Sequence, residues 1–118
     1  TPSYVSLETV LLMEGVIFQF SEVITVVSYA TREIEVDGKK ISFRKIKNSI
    51  LNNPAGIYYE DNFPKASVER AVLDSIYLYK NYYFDNLGGI DWEKCHDLLP
   101  VYEGLVTRAK LKLYVDHK

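Results

Sequence analysis

The residues best placed for chemistry are Glu69, Arg70 and Asp74, which fall in the stretch Ala66 to Lys80, A-S-V-E-R-A-V-L-D-S-I-Y-L-Y-K. Two carboxylates around a guanidinium could serve as a general acid and base or could clamp a ligand. Arg70 and Asp74 are also four apart, the spacing at which helix side chains meet, so the same trio can be a structural ion-pair network. With no nucleophile alongside, the structural reading is preferred. Cys95 beside His96 pairs a nucleophile with a base. Adjacent helical residues, however, point about 100° apart, so a core thiol is expected instead. Neither His96 nor His117 has ligand spacing to other donors, and no Gly-rich phosphate loop, G-x-S-x-G elbow or H-E-x-x-H helix is present. The expectation is therefore no enzyme, no cofactor and no metal.

Two further groups could bind rather than react. Lys39, Lys40, Arg44, Lys45 and Lys47 are interleaved with Ile41, Phe43 and Ile46, and such a basic ribbon could follow phosphates or sit on an acidic partner. Lysines guarding a solvated edge strand would read the same way. Ten tyrosines, with Tyr58, Tyr59, Tyr77, Tyr79, Tyr82 and Tyr83 crowded near the middle, suit either a partner interface or the rim of a core. Tyr58 and Tyr82 are the candidates taken with the basic residues as a nucleic-acid or partner surface.

The chain has 118 residues, 47% hydrophobic and 25% charged, with a net charge of −2 and a pI near 5.7. A single domain spanning 1–118 is expected, long enough to bury a core without disulfides. Cys95 is the sole cysteine, which fits a reducing cytoplasm. The mild acidity excludes a chain-wide positive field for holding duplex DNA. No apolar run reaches membrane-spanning length.

The elements that must position these residues follow from periodicity. Ser67 is the expected cap of a central helix whose apolar face is Val68, Ala71, Val72, Ser75, Ile76, Tyr79 and Tyr83, with Leu73 and Tyr77 round the other side. Ser6 to Glu14 reads as a first helix closed by Gly15, and Val16 to Phe20 as strand or loop. Glu22 to Ala30 reads as a strand covered on both faces. Asp37-Gly38 between alternating runs predicts a two-residue hairpin in which Val36 faces Lys39, Glu35 faces Lys40 and Ile34 faces Ile41. Its apolar set, Ile34, Val36, Ile41 and Phe43, is expected to face the core. After the turn Asn52 to Gly56, Ile57 to Tyr59 reads as a short strand that feeds Asp61 to Lys65 and then the central helix. Asp91 should cap a short helix carrying Trp92, Cys95, Leu98 and Leu99 inward and stopped by Pro100. A last helix is expected from Val101 to Val115, with Val101, Leu105, Ala109 and Leu113 on one stripe and Arg108, Lys110, Lys112 and Lys118 toward its end. The fold class is α+β, a small, mostly antiparallel sheet packed by a central helix and C-terminal helices.

In order, Y-V-S-L-E-T-V-L (Tyr4 to Leu11), I-T-V-V-S (Ile24 to Ser28), I-S-F-R-K-I-K (Ile41 to Lys47) and A-S-V-E-R-A-V-L-D (Ala66 to Asp74) resemble the C-terminal region of the AbiEi family. The last segment is the most specific, through Ala66, Ser67, Glu69, Arg70, Ala71 and Asp74. The resemblance implies the antitoxin and transcriptional-regulator half of an abortive-infection toxin–antitoxin system. A winged helix would bind promoter DNA, and a C-terminal domain would oppose a nucleotidyltransferase-like toxin. Opening at Thr1-Pro2 without the winged helix, the chain is expected to be the C-terminal part of a longer protein. A toxin or regulatory protein is the implied partner, and a homo-oligomer is left open. The alternative is an independent regulatory module for nucleic acid or a small ligand.

Overall fold

The computed structural model describes residues 3–18, 22–60, 62–79 and 82–115. Phe20, Asp61, Lys80, His117 and Lys118, which figure in the sequence expectations, lie outside them.

The strands are β1 (Tyr4–Val5), β2 (Ile24–Ser28), β3 (Arg32–Val36), β4 (Lys39–Lys45), β5 (Ile57–Glu60) and β6 (Phe63–Ala66). They form one six-stranded sheet in the order β3-β4-β2-β1-β6-β5. The β1–β2, β3–β4 and β5–β6 pairings are antiparallel, whereas β1–β6 and β2–β4 are parallel. The α+β, mostly antiparallel expectation holds, with two parallel joints added. The Asp37-Gly38 hairpin has the expected register, Val36 opposite Lys39, Glu35 opposite Lys40 and Ile34 opposite Ile41. Both turn residues take positive φ, 51° and 79°, as a turn of this hand requires. β4 is not an edge strand, because it lies between β3 and β2, so edge protection does not explain its cations.

Helices α1 (Glu8–Met13), α2 (Asn48–Leu51), α3 (Val68–Leu78), α4 (Trp92–Leu98) and α5 (Arg108–Val115) complete the chain, with a 3-10 turn at Leu99–Tyr102. Ser67 caps α3 by accepting from the Arg70 N–H at 3.2 Å, and Asp91 caps α4 by accepting from the Glu93 and Lys94 N–H groups. Ser6 does not cap α1. The residue at that position is Leu7, fully buried with φ 58°, a conformation that costs a branched side chain strain and is held by its surroundings. Thr9 and Thr25 provide that hold by exchanging backbone-to-hydroxyl hydrogen bonds of 3.0 and 2.8 Å, while the Thr25 hydroxyl donates to the Ser6 carbonyl.

The expected helix over 101–115 is broken in two. Glu103 and Gly104 both have positive φ, which ends the 3-10 turn and delays α5 to Arg108. Of the expected stripe only Val101 is buried: Leu105, Ala109 and Leu113 are exposed, and past the break Val106 and Leu111 turn inward instead. The Val16 to Phe20 connection forms no strand over its described part.

One face of the sheet carries the core. Tyr4, Val27 and Ala66 point toward α1 and α3 and join Leu7, Leu11, Leu73, Ile76, Cys95 and Tyr102 in a single apolar cluster. Burying such side chains is worth roughly 1.5–3 kcal/mol each before ordering costs. Gly56 is needed here for two reasons, its φ of 75° and the absence of room for a Cβ, which would sit 3.2 Å from Arg70 and from Leu98.

Candidate functional site

The trio on α3 is fully drawn into the fold. Arg70, with no exposed surface, donates through Nη1 to the Asn53 and Ala55 carbonyls and through Nη2 to the Ile50 carbonyl at 2.7 Å. The guanidinium thus gathers the turn after α2 onto α3. Arg70 and Asp74 do not pair directly despite their spacing. Tyr4 stands between them, its hydroxyl accepting from Arg70 Nη2 at 3.2 Å and donating to Asp74 Oδ2 at 3.0 Å. Asp74 also accepts from Ser6 at 2.8 Å and Tyr102 at 2.5 Å. Burial lifts its carboxyl above the ordinary range, a rise that Arg70 and the three hydroxyls oppose. Burial likewise pushes the Tyr4 and Tyr102 phenols up. Arg70 Nε is the one buried side-chain polar atom without a partner among the described residues. Glu69 accepts the Asp91 N–H at 3.2 Å and so ties the start of α4 to α3. Ser67 supplies the cap, and the side chains of Ala66 and Ala71 are buried. Glu69, Arg70 and Asp74 thus each hold α3 to another part of the chain.

Cys95 is fully buried, and burial, with Glu69 and Asp91 adding to it, pushes its thiol up to about 12, which suppresses the nucleophilic thiolate. Among the described residues no group of three or more His, Cys, Asp or Glu could hold a metal ion.

The basic residues do not form one cluster. Alternation along β4 sends Lys40 and Arg44 to the helix side and Lys39 and Lys45 to the opposite side. Arg44 lies over the Tyr79 ring at 5.0 Å, and Tyr79 donates to Glu8 at 2.9 Å, so this guanidinium is engaged by the body of the protein. Burial, with Glu8 adding to it, raises the Tyr79 phenol. Lys47 leaves the sheet and pairs with Glu103 at 2.9 Å, an exposed pair in which the lysine is raised and the glutamate lowered by their shared hydrogen bond. The two tyrosines separate as well. Tyr82 stacks on Tyr79 with ring centroids 5.1 Å apart, and burial followed by Glu8 and Asp85 pushes its phenol up to about 12. Tyr58 stands on the opposite face of the sheet, 41% exposed.

That opposite face is the feature the sequence expectations misplace. Register aligns Arg32, Phe43, Val26, Val5, Lys65 and Tyr58 in a single row across all six strands. At a strand spacing of about 4.8 Å, the row is about 24 Å long. Beside it lies Ile34-Ile41-Ile24, and then Val36 opposite Lys39. The expectation that Ile34, Val36, Ile41 and Phe43 face the core fails, since none of them joins the core cluster or packs against it. Val36 is 48% exposed, and Ile24, Ile34, Ile41 and Phe43 are only half-buried. Val26 and Ser28, at the sheet's centre, are buried among their strand neighbours, but Ile24 is not, so the expectation of a β2 covered on both faces holds only in part. Each end of the row is a cation against a ring, with Arg32 4.8 Å from the Phe43 centroid and Lys65 5.9 Å from that of Tyr58. Lys65 also meets Glu60 at 3.5 Å. At the hairpin end the charges are mixed, where Glu22, Asp37, Lys39 and Lys40 line a cleft of about 770 Å³.

A clue to this open face is present in the hairpin register. Lys39 is in phase with Ile34 and Ile41, and a core face would not accept its ammonium. The partners of Asp74 leave no such trace, since Tyr4, Ser6 and Tyr102 are separated from it by 70, 68 and 28 positions.

No protein family, curated protein or solved structure matches the chain. Among the described residues no helix is long and apolar enough to cross a membrane.

Proposed function

We propose that the chain is a non-enzymatic effector domain of the AbiEi type, part of a cytoplasmic transcriptional regulator that opposes a nucleotidyltransferase-like toxin and supports autoregulation of its operon. Promoter DNA is contacted mainly through a winged-helix part upstream of this domain. The observation that carries the reading is the open face of the sheet, an apolar double row with cations at its margins. Exposed apolar area of this kind marks contact surfaces. Support for a non-catalytic role comes from Glu69, Arg70 and Asp74, each of which ties α3 to another part of the fold.

The test is toxin rescue by the full-length regulator in cells. Ile41→Asp combined with Phe43→Asp should abolish rescue while the protein stays folded, and unchanged rescue would remove the open face from the mechanism. Glu69→Gln should keep rescue as long as the fold is kept, and its loss in a folded variant would place chemistry at the start of α3. A second reading, a nucleic-acid module, is favoured by Arg32, Lys39 and Lys45 lying on one face. Alanine at those three positions should then flatten the salt dependence of promoter binding by roughly one unit of slope for each phosphate no longer neutralised.

A further inference from the structure

We infer that the open face of the sheet receives a single amphipathic helix of a partner protein, one with an apolar stripe flanked by carboxylates. The inference rests on the open face being the working surface proposed above and adds the chemistry of its occupant. Three observations select it. First, the centre of the face is aliphatic: Val5, Val26, Ile24, Ile34 and Ile41 outnumber Phe43, Tyr58 and Phe63 as its apolar members. Bases are held on such sheets by stacking on aromatic rings, and here Phe43 and Tyr58 are each met by a cation of the protein itself. Aliphatic rows suit the leucines and isoleucines of another protein.

Second, the dimensions fit one helix. The rows through Val26 and Ile24 are two residues apart along a strand, about 7 Å, and a helix with its side chains is about 10 Å across, wide enough to cover both. Third, charge chooses among partners. Arg32, Lys39 and Lys45 are exposed on this face, while Lys65 is buried in its row against Glu60, the one carboxylate in the strands there. In a face-to-face pair of identical chains whose two-fold axis runs along the rows, the exposed cations would meet their own copies, which disfavours that pairing. A partner with carboxylates flanking its stripe meets the cations without that penalty, and its approach is steered by them.

The experiment uses the 118-residue chain and labelled helical peptides about 18 residues long, enough to span the row at 1.5 Å per residue. One has a leucine stripe flanked by glutamates, a second the same stripe flanked by lysines, and the third probe is a thymine oligonucleotide. Fluorescence anisotropy should show the glutamate peptide binding at least tenfold more tightly than the lysine peptide. Ile41→Asp should abolish that binding, and Arg32→Glu with Lys45→Glu should reverse the preference, with circular dichroism and thermal melts confirming that both variants fold. Equal binding of the two peptides, or no binding of the glutamate peptide, overturns the inference. Tighter binding of the oligonucleotide overturns it in favour of nucleic acid, and sedimentation showing a dimer that Ile41→Asp dissociates overturns it in favour of a second copy. Failure of toxin rescue alongside tight glutamate-peptide binding would remove the antitoxin reading alone.

Discussion

The two faces of one sheet are built on opposite plans. On the helix side, polar groups are buried and joined: Asp74 takes three hydroxyl donors and Arg70 closes on three carbonyls. On the other side, apolar groups are left half-covered, and two of the cations among them, Arg32 and Lys65, lie against rings, Lys65 also meeting Glu60. The same alternation that sends Val27 inward sends Val26 outward, so a single strand supplies both plans. Buried charge specifies how elements meet, and half-exposed aliphatic surface offers affinity to something else. The difference separates residues that define the fold from residues free to serve function.

This contrast is open to breakage, starting with its strongest member. Arg70→Ala would leave the carbonyls of Ile50, Asn53 and Ala55 short of a donor, and we expect a loss of about 3–5 kcal/mol in urea unfolding, or failure to fold. Loss of less than about 1 kcal/mol would show that the turn after α2 reorganises around water. Next, Leu73→Ala on the covered side should cost about 2–5 kcal/mol, against less than about 1 kcal/mol for Ile41→Ala on the open side. Similar losses at the two sites would mean that the open face is covered in solution.

A third prediction concerns protons. Because burial raises the folded pKa of Asp74 above its unfolded value, the folded state holds the proton more tightly. The stability this group contributes is complete below the ordinary carboxylate pKa and falls as pH rises through the raised one. Asp74→Asn should remove that part of the pH dependence, read as a flatter plot of unfolding free energy from about pH 4 upward. Fourth, Cys95 should resist iodoacetamide in the native protein and react once unfolded, since its thiol is buried and lifted to about 12. Smallest of all, Lys47→Ala should leave the melting temperature unchanged within error, the Lys47–Glu103 pair being exposed on both sides.

Local signals in the sequence proved legible. Asp37-Gly38 specified its hairpin to the residue, and Ser67 and Asp91 marked helix starts through their side-chain oxygens. The limits came where distant residues decide. A two-residue β1 has no periodicity of its own, and its place between β2 and β6 depends on partners far along the chain, Val27 for Tyr4 and Lys65 for Val5. Ser6 reads as the start of the first helix because a serine that opens a helix and a buried hydroxyl donor have the same side chain, and only Asp74 tells them apart. For the candidate site, the residues themselves were visible but their sidedness was misjudged. Period-two alternation says which residues share a face and is silent on which face the helices choose.

Strand β1 also sets the order in which this sheet can be assembled. The β3–β4 and β5–β6 hairpins join neighbours in sequence, and such units close in about 1–10 μs. Val5 must find Lys65, an encounter that closes a far longer loop and carries the larger entropy cost. Two residues therefore join the β3-β4-β2 and β6-β5 parts of the sheet, and we expect that long-range encounter to govern the folding rate. Val5→Gly should slow folding more than it speeds unfolding, a division that stopped-flow refolding would resolve.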